Sequence, residues 1–128
     1  MLASLVGTPY FPHIDGGILF VEDVSEVPFR IERTLYQLYL SGALERQRAL
    51  LLGNFLKSEV GPSDNGYNLD MALDQISRVI GIPVVRGLPH GHGRRQLTLP
   101  FGAPAKVQVQ SGHATLSFSG YPKPYSKA

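Results

Sequence analysis

The chain contains no cysteine and no tryptophan. Without cysteine, disulfide bonds, thiolate metal sites and a cysteine nucleophile are excluded, and any positive sign of an oxidising compartment is missing. The apolar runs are short, and none approaches the roughly 18 residues of a membrane-spanning helix. The first residues also lack the basic start and long apolar stretch of a secretory signal peptide.

Charge is sparse and nearly balanced. Charged residues make up 17% of the chain and the net charge is +2. No basic stripe with interleaved aromatic residues is present, so the sequence does not favour a nucleic acid as partner. With 128 residues, 43% of them hydrophobic, the sequence is typical of one globular domain that can bury a core.

The chain starts almost directly in an apolar segment, residues 2–6, without a polar lead. Natural termini more often begin with solvated residues. Two interpretations stay open. Either the chain is a piece of a longer protein, or this segment forms a short strand or helix that packs on the core.

Short apolar runs and helical periodicity alternate through the first two thirds of the chain. Residues 18–21, between two glycines and two carboxylates, predict a strand buried on both faces. Further runs at 49–53 and 82–85 predict two more strands. Between the strands, the spacing of apolar residues predicts one helix from Pro28 to Ser41 and a second capped by Asn68.

The periodicity changes to two beyond residue 96. Apolar and polar residues alternate around 97–99, 107–109 and 114–118, as in half-exposed antiparallel strands. The predicted fold class is therefore α/β, with short buried strands and two helices followed by a C-terminal antiparallel meander of three strands. The tail at 121–125 is predicted to be extended or frayed.

The predicted chemistry centres on the carboxyl end of the first strand. Glu22 and Asp23 lie there, and His92 lies beyond the third predicted strand in the glycine-rich segment 87–93. Ligands and catalytic groups often collect at such strand ends. Histidine exchanges protons near neutral pH, and a carboxylate can orient it. Adjacent residues on a strand point to opposite faces, so only one of the two carboxylates can face His92.

Other interpretations of the histidines stay open. His90 and His92 are two residues apart and share a face if the chain is extended, so they could bind a metal together with a third ligand. The surrounding glycines could equally form a turn with both histidines exposed. His13 and His113 lie in loop or turn contexts. A nucleophile is missing, because the chain has no Gly-x-Ser-x-Gly elbow.

Several segments together resemble the LD-carboxypeptidases, serine peptidases of murein recycling. The similarity runs in family order and covers only the C-terminal domain of those enzymes. It is carried by residues 5–9, 17–23, 28–33, 37–38, 52–55, 82–84, 91–92 and 99–102.

The resemblance implies a role for each member of the predicted pair. The glutamate of the family's Ser-Glu-His triad matches Glu22, and its histidine matches His92. The serine belongs to an N-terminal domain that this chain lacks. His90 matches no catalytic position. The implied fold is a swivelling β/β/α domain over residues 1–128, and the implied enzyme is cytoplasmic and needs no metal or cofactor.

The resemblance also implies a substrate and partners. Family members remove the terminal D-alanine from murein tetrapeptides, and a related branch cleaves peptidyl-adenylate antibiotics of the microcin type. The absence of tryptophan favours the recycling branch. The chain alone is expected to be inactive, with the missing N-terminal domain as its partner. A second copy of the chain, in a homodimer, is a further candidate partner. A non-enzymatic interaction domain is the alternative expectation for the function. Neither nucleic acid nor a membrane is expected as a partner.

Overall fold

The computed structural model describes residues 1–120. They form two compact units, one of residues 1–96 and a second that begins at Leu97. The predicted tail at 121–125 lies outside the described residues.

The first unit is a three-stranded parallel sheet with two helices. After a short 3₁₀ helix at Leu2–Leu5, the order along the chain is β1 (Gly17–Val24), α1 (Pro28–Leu40), β2 (Gln47–Leu56), α2 (Leu69–Val79) and β3 (Val84–Val85). The strands lie in the order β1-β2-β3, so β2 is central. The α/β fold class predicted from the sequence is confirmed.

Local sequence accounts for the limits of both helices. Pro28 occupies the first turn of α1, where its missing N–H is not needed, and Gly42 follows the helix with a φ of 76° that favours glycine. Asn68 caps α2, since its side-chain oxygen accepts a hydrogen bond of 3.0 Å from the Met71 N–H.

The core lies between the helices and one face of the sheet. Leu50 and Leu52 of β2 are 0% and 1% exposed. They pack in one cluster with side chains of α1 (Ile31, Leu35, Leu38) and of α2 (Leu73, Ile76). Leu19 and Val21 of β1 pack against the same cluster. Phe20 and Glu22 alternate with them and therefore lie on the opposite face of the sheet.

Two sequence-based expectations for the strands were wrong. β1 is half-buried along its whole length rather than buried on both faces, because it lies at the edge of the sheet. The expected meander has two strands, β4 (Ala105–Gln110) and β5 (His113–Phe118), joined by a turn at Ser111 and Gly112. The run at 97–99 forms no strand, since it is short and ends at Pro100, which cannot donate to a ladder.

The segment at the start of the chain packs on the core. Its 3₁₀ helix buries Ala3, whose carbonyl oxygen accepts a hydrogen bond of 3.0 Å from the Gln37 side chain. This arrangement agrees with the docked-segment interpretation. Within residues 1–120, no helix has the length and apolar character that crossing a membrane requires.

The cap of α2 can be tested by substitution. We expect Asn68→Ala to lower the free energy of unfolding by about 1 kcal/mol, because the Met71 N–H loses its acceptor. Urea unfolding followed by circular dichroism measures the change. Asn68→Asp is the matched control and should retain near-native stability, since it keeps the acceptor oxygen. Equal losses in the two variants would contradict this role for the cap.

Candidate active site

An irregularity in the pairing of β1 with β2 builds the site. Val21 pairs with Leu52 and Asp23 pairs with Phe55. One residue of β1, Glu22, is therefore opposed by two residues of β2, Gly53 and Asn54. Such bulges redirect side chains and are over-represented next to active sites.

Glu22 and His92 meet at this bulge, although they are 70 residues apart in the sequence. The His92 Nδ1 atom lies 2.9 Å from Glu22 Oε2. The Glu22 side chain is 24% exposed and the His92 side chain 58% exposed. Because a carboxylate accepts this bond, Nδ1 carries the proton and Nε2 is the nitrogen left to accept one. The pair can thus act as an oriented general base that solvent or a substrate can reach.

Gly91 allows the histidine segment to lie against Glu22. Its φ is 113°, and a Cβ atom at this position would come within 2.6 Å of Glu22 Oε2. A side chain here would therefore strain the backbone and push the carboxylate away from His92. Gly91 is therefore needed both for the positive φ of the turn and for the close approach of the main chain to Glu22.

Main-chain hydrogen bonds fix the same segment to the end of β2. The Leu88 N–H donates to the Leu52 carbonyl at 3.2 Å, and the Asn54 N–H donates to the His90 carbonyl at 2.9 Å. Gly53 makes the second approach possible, because a Cβ there would lie 2.7 Å from the His90 oxygen and from the Phe20 ring. Sequence reasoning missed Gly53 and Asn54. A glycine inside a buried strand was the available signal for the first, whereas nothing marked Asn54.

The side chains of the other candidate residues make different contacts. The Asp23 carboxylate accepts a hydrogen bond of 2.7 Å from the adjacent Val24 N–H and does not contact His92. The His90 ring meets the Phe20 ring edge-on, with centroids 4.8 Å apart. His13 packs edge-on against Phe11, and His113 begins β5. Across residues 1–120, no three histidine, aspartate or glutamate side chains come together as a metal site.

A separate cavity of about 340 Å³ opens in the first unit, away from the Glu22–His92 pair. Its lining includes Glu32 of α1, Tyr67, and Asp74 and Arg78 of α2. Burial, together with the Glu32 carboxylate, raises the pKa of Tyr67 to about 12. Tyr67 therefore stays protonated over the whole physiological range.

The chain that carries this site is similar to proteins of one known family. The sequence model of the LD-carboxypeptidase C-terminal domain matches residues 1–107. The murein tetrapeptide carboxypeptidase of Pseudomonas aeruginosa is 32% identical over 108 residues, which are 84% of this chain and 34% of that protein. A Synechocystis protein named as a putative carboxypeptidase is 36% identical over 88% of this chain and 37% of its own length. The chain thus spans about a third of these relatives.

Solved structures show the same similarity. The muramoyltetrapeptide carboxypeptidase of Oxalobacter formigenes superposes with a TM-score of 0.89 at 45% identity, covering 94% of this chain and 42% of that one. A microcin C7 self-immunity protein, solved with glutamyl sulfamoyl guanosine, superposes with a TM-score of 0.64 at 27% identity, covering 80% and 30%.

Two substitutions separate the effect of a side chain at position 91 on Glu22 from the backbone strain that any side chain causes at a positive φ. We expect Gly91→Ala to abolish the hydrogen bond between His92 and Glu22, seen as loss of the Nδ1–H tautomer in imidazole ¹⁵N spectra. Gly87→Ala is the matched control, because Gly87 also has a positive φ of 78° but has no atom within 4 Å of its would-be Cβ. Both changes should cost about 1–2 kcal/mol of stability, and only the first should alter His92. An unchanged tautomer in Gly91→Ala would contradict the close approach.

The raised pKa of Tyr67 predicts a loss of stability at alkaline pH. An unfolded tyrosine loses its proton near pH 10, whereas the folded one keeps it until about pH 12. Between these values the folded state binds more protons, so its contribution to stability is complete below pH 10 and is lost as pH rises toward 12. Urea unfolding at pH 9 and 11.5 should show a smaller decline in Tyr67→Phe than in the unaltered chain. Equal declines would contradict the shift.

Proposed function

The chain belongs to the LD-carboxypeptidase family, whose C-terminal domain it represents, and we propose that it supplies the glutamate and histidine of a Ser-Glu-His triad. The observation that carries this proposal is the 2.9 Å contact between His92 Nδ1 and Glu22 Oε2. It leaves Nε2 to face a nucleophile. The chain spans about a third of the relatives it matches, and the nucleophile is assigned to the part of those proteins that it does not cover.

Each residue then has a defined role. His92 takes the proton of the serine hydroxyl through Nε2 as the oxygen attacks the scissile carbonyl, and it later returns that proton to the leaving amine. Glu22 fixes the Nδ1–H tautomer beforehand. It also stabilises the imidazolium that forms while the proton resides on His92. Asp23 has no part in the reaction.

We propose that the complete enzyme removes the terminal D-alanine from murein tetrapeptides during cytoplasmic recycling. The name of the Pseudomonas relative and that of the Oxalobacter structure support this substrate. The isolated chain is expected to be inactive, because a triad without its nucleophile retains at most residual catalysis and the residues that would hold the substrate are then incomplete.

Cleavage of a microcin-type peptidyl nucleotide is the second candidate. It is supported by the superposition on the self-immunity protein solved with a sulfamoyl nucleoside. The murein assignment is preferred, since the Oxalobacter structure superposes at a TM-score of 0.89 as against 0.64. Assaying both substrate classes side by side distinguishes the two activities.

The decisive experiment measures D-alanine release from murein tetrapeptide by a protein in which this chain follows the nucleophile domain. We expect Glu22→Gln to lower kcat on the order of 10⁴-fold and His92→Ala to lower it at least as much. Asp23→Asn is the matched control for Glu22→Gln. It should retain activity, because the amide oxygen still accepts from the Val24 N–H.

Three outcomes would contradict the proposal. Release of D-alanine by the 128-residue chain alone would show that the nucleophile is not in a separate domain. Equal losses in Glu22→Gln and Asp23→Asn would remove the special role of Glu22. Full activity of all variants would favour a non-enzymatic interaction domain for this part of the molecule.

A further inference from the structure

We propose that Asn54 is a positioning residue for His92, one that supports the far side of the histidine segment and so keeps the imidazole on Glu22. This inference rests on the proposed function of the Glu22–His92 pair. It concerns a residue whose side chain takes part in no step of the proposed chemistry.

The bulge brings Asn54 to the site. Glu22 of β1 is opposed by both Gly53 and Asn54 of β2. A regular parallel ladder would present one residue there. On its other edge β2 continues regularly, since Leu50, Leu52 and Asn54 all bond to the chain that follows α2, and this places Asn54 beside the segment that carries His92.

Asn54 contacts this segment on both sides of His92. Its main-chain N–H donates to the carbonyl of His90 at 2.9 Å. Its side-chain amide lies directly against Gly93, so closely that a Cβ atom on Gly93 would collide with Asn54 Nδ2. His92 therefore stands between two glycines that each lie against one side chain. Gly91 lies on Glu22, and Gly93 lies on Asn54.

The support that Asn54 gives to Gly93 is steric. Within residues 1–120, the Asn54 side-chain amide forms no hydrogen bond. The next anchor along the chain is the Gln96 side chain, which donates to the Gly91 carbonyl at 2.7 Å. This bond closes the segment on itself and does not fix it to the sheet. The contact with Asn54 thus brings the chain after His92 beside β2.

Such support matters because the pair it serves is exposed. The His92 side chain is 58% exposed, and a hydrogen bond that competes with water contributes little on its own to holding a ring in place. The position of the main chain on either side must therefore fix the imidazole. Removing the Asn54 side chain leaves Gly93 without a support and lets the ring leave Glu22.

The test uses the tautomer of His92 in the 128-residue chain, read from imidazole ¹⁵N spectra at a pH where the ring is neutral. Asn54→Ala should lower the ratio of the Nδ1–H to the Nε2–H tautomer by about threefold or more. Gly93→Ala should lower it as well, because the new methyl group meets the Asn54 amide. In the double variant the nearest remaining atom, Asn54 Cβ, lies at an ordinary 3.8 Å, so the ratio should partly recover.

Asn68→Ala serves as the control for general destabilisation. It removes the cap of α2, lowers stability and should leave the His92 tautomer unchanged. An unaltered ratio in Asn54→Ala, or a double variant whose effect is the sum of the two single ones, would overturn the positioning role of Asn54.

The same spectra separate this inference from the proposed function. If the unaltered chain shows no preference for Nδ1–H, the Glu22–His92 pair itself fails and the proposed function fails with it. If the unaltered chain shows the preference and Asn54→Ala shows it equally, the pair stands and Asn54 has no positioning role.

Discussion

In the parallel sheet, two residues of β2 oppose one residue of β1, and the arrangement of the whole candidate site depends on this mismatch. It places Glu22 at the carboxyl end of β1 opposite Gly53 and Asn54. The absence of a side chain on Gly53 lets the His90 carbonyl approach the strand and accept from the Asn54 N–H at 2.9 Å. That bond brings the next two residues over Glu22, where Gly91 allows the contact and His92 makes it.

The energy that holds this geometry comes from the core and not from the pair. Leu50 and Leu52 of β2 are almost fully buried against the helices, and full burial of a leucine side chain stabilises a fold by roughly 1.5–3 kcal/mol. A hydrogen bond between side chains contributes about 0.5–1.5 kcal/mol, and less where water competes for it. The central strand is therefore stabilised by burial that is independent of the site, and the exposed pair is positioned by it. This division suits an active site, which needs an accessible base on a scaffold that does not move.

Much of the first unit could be predicted because its signals are local. Pro28 and Asn68 mark the starts of the helices, and short apolar runs mark the strands. The meeting of Glu22 with His92 was expected from strand ends that share one edge of a sheet. The choice of Glu22 over Asp23 was implied by family resemblance, and the structure gives its physical reason in the local bond from Val24 to Asp23. The bulge escaped prediction, because register depends on pairing between distant segments. The half-buried state of β1 was not predicted either, because the apolar run at 18–21 does not show whether its strand lies at the centre or at the edge of the sheet.

The central claim is that His92, oriented by Glu22, accepts the proton of a nucleophile that approaches Nε2 from another domain. The most direct measurement is a crystal structure of a protein in which this chain follows that domain, examined for the atom nearest to His92 Nε2. The account predicts a serine Oγ within about 2.6–3.2 Å, or slightly farther without substrate, with the bond from Nδ1 to Glu22 intact. A structure in which no hydroxyl approaches Nε2, or in which His92 has turned away from Glu22, would contradict it.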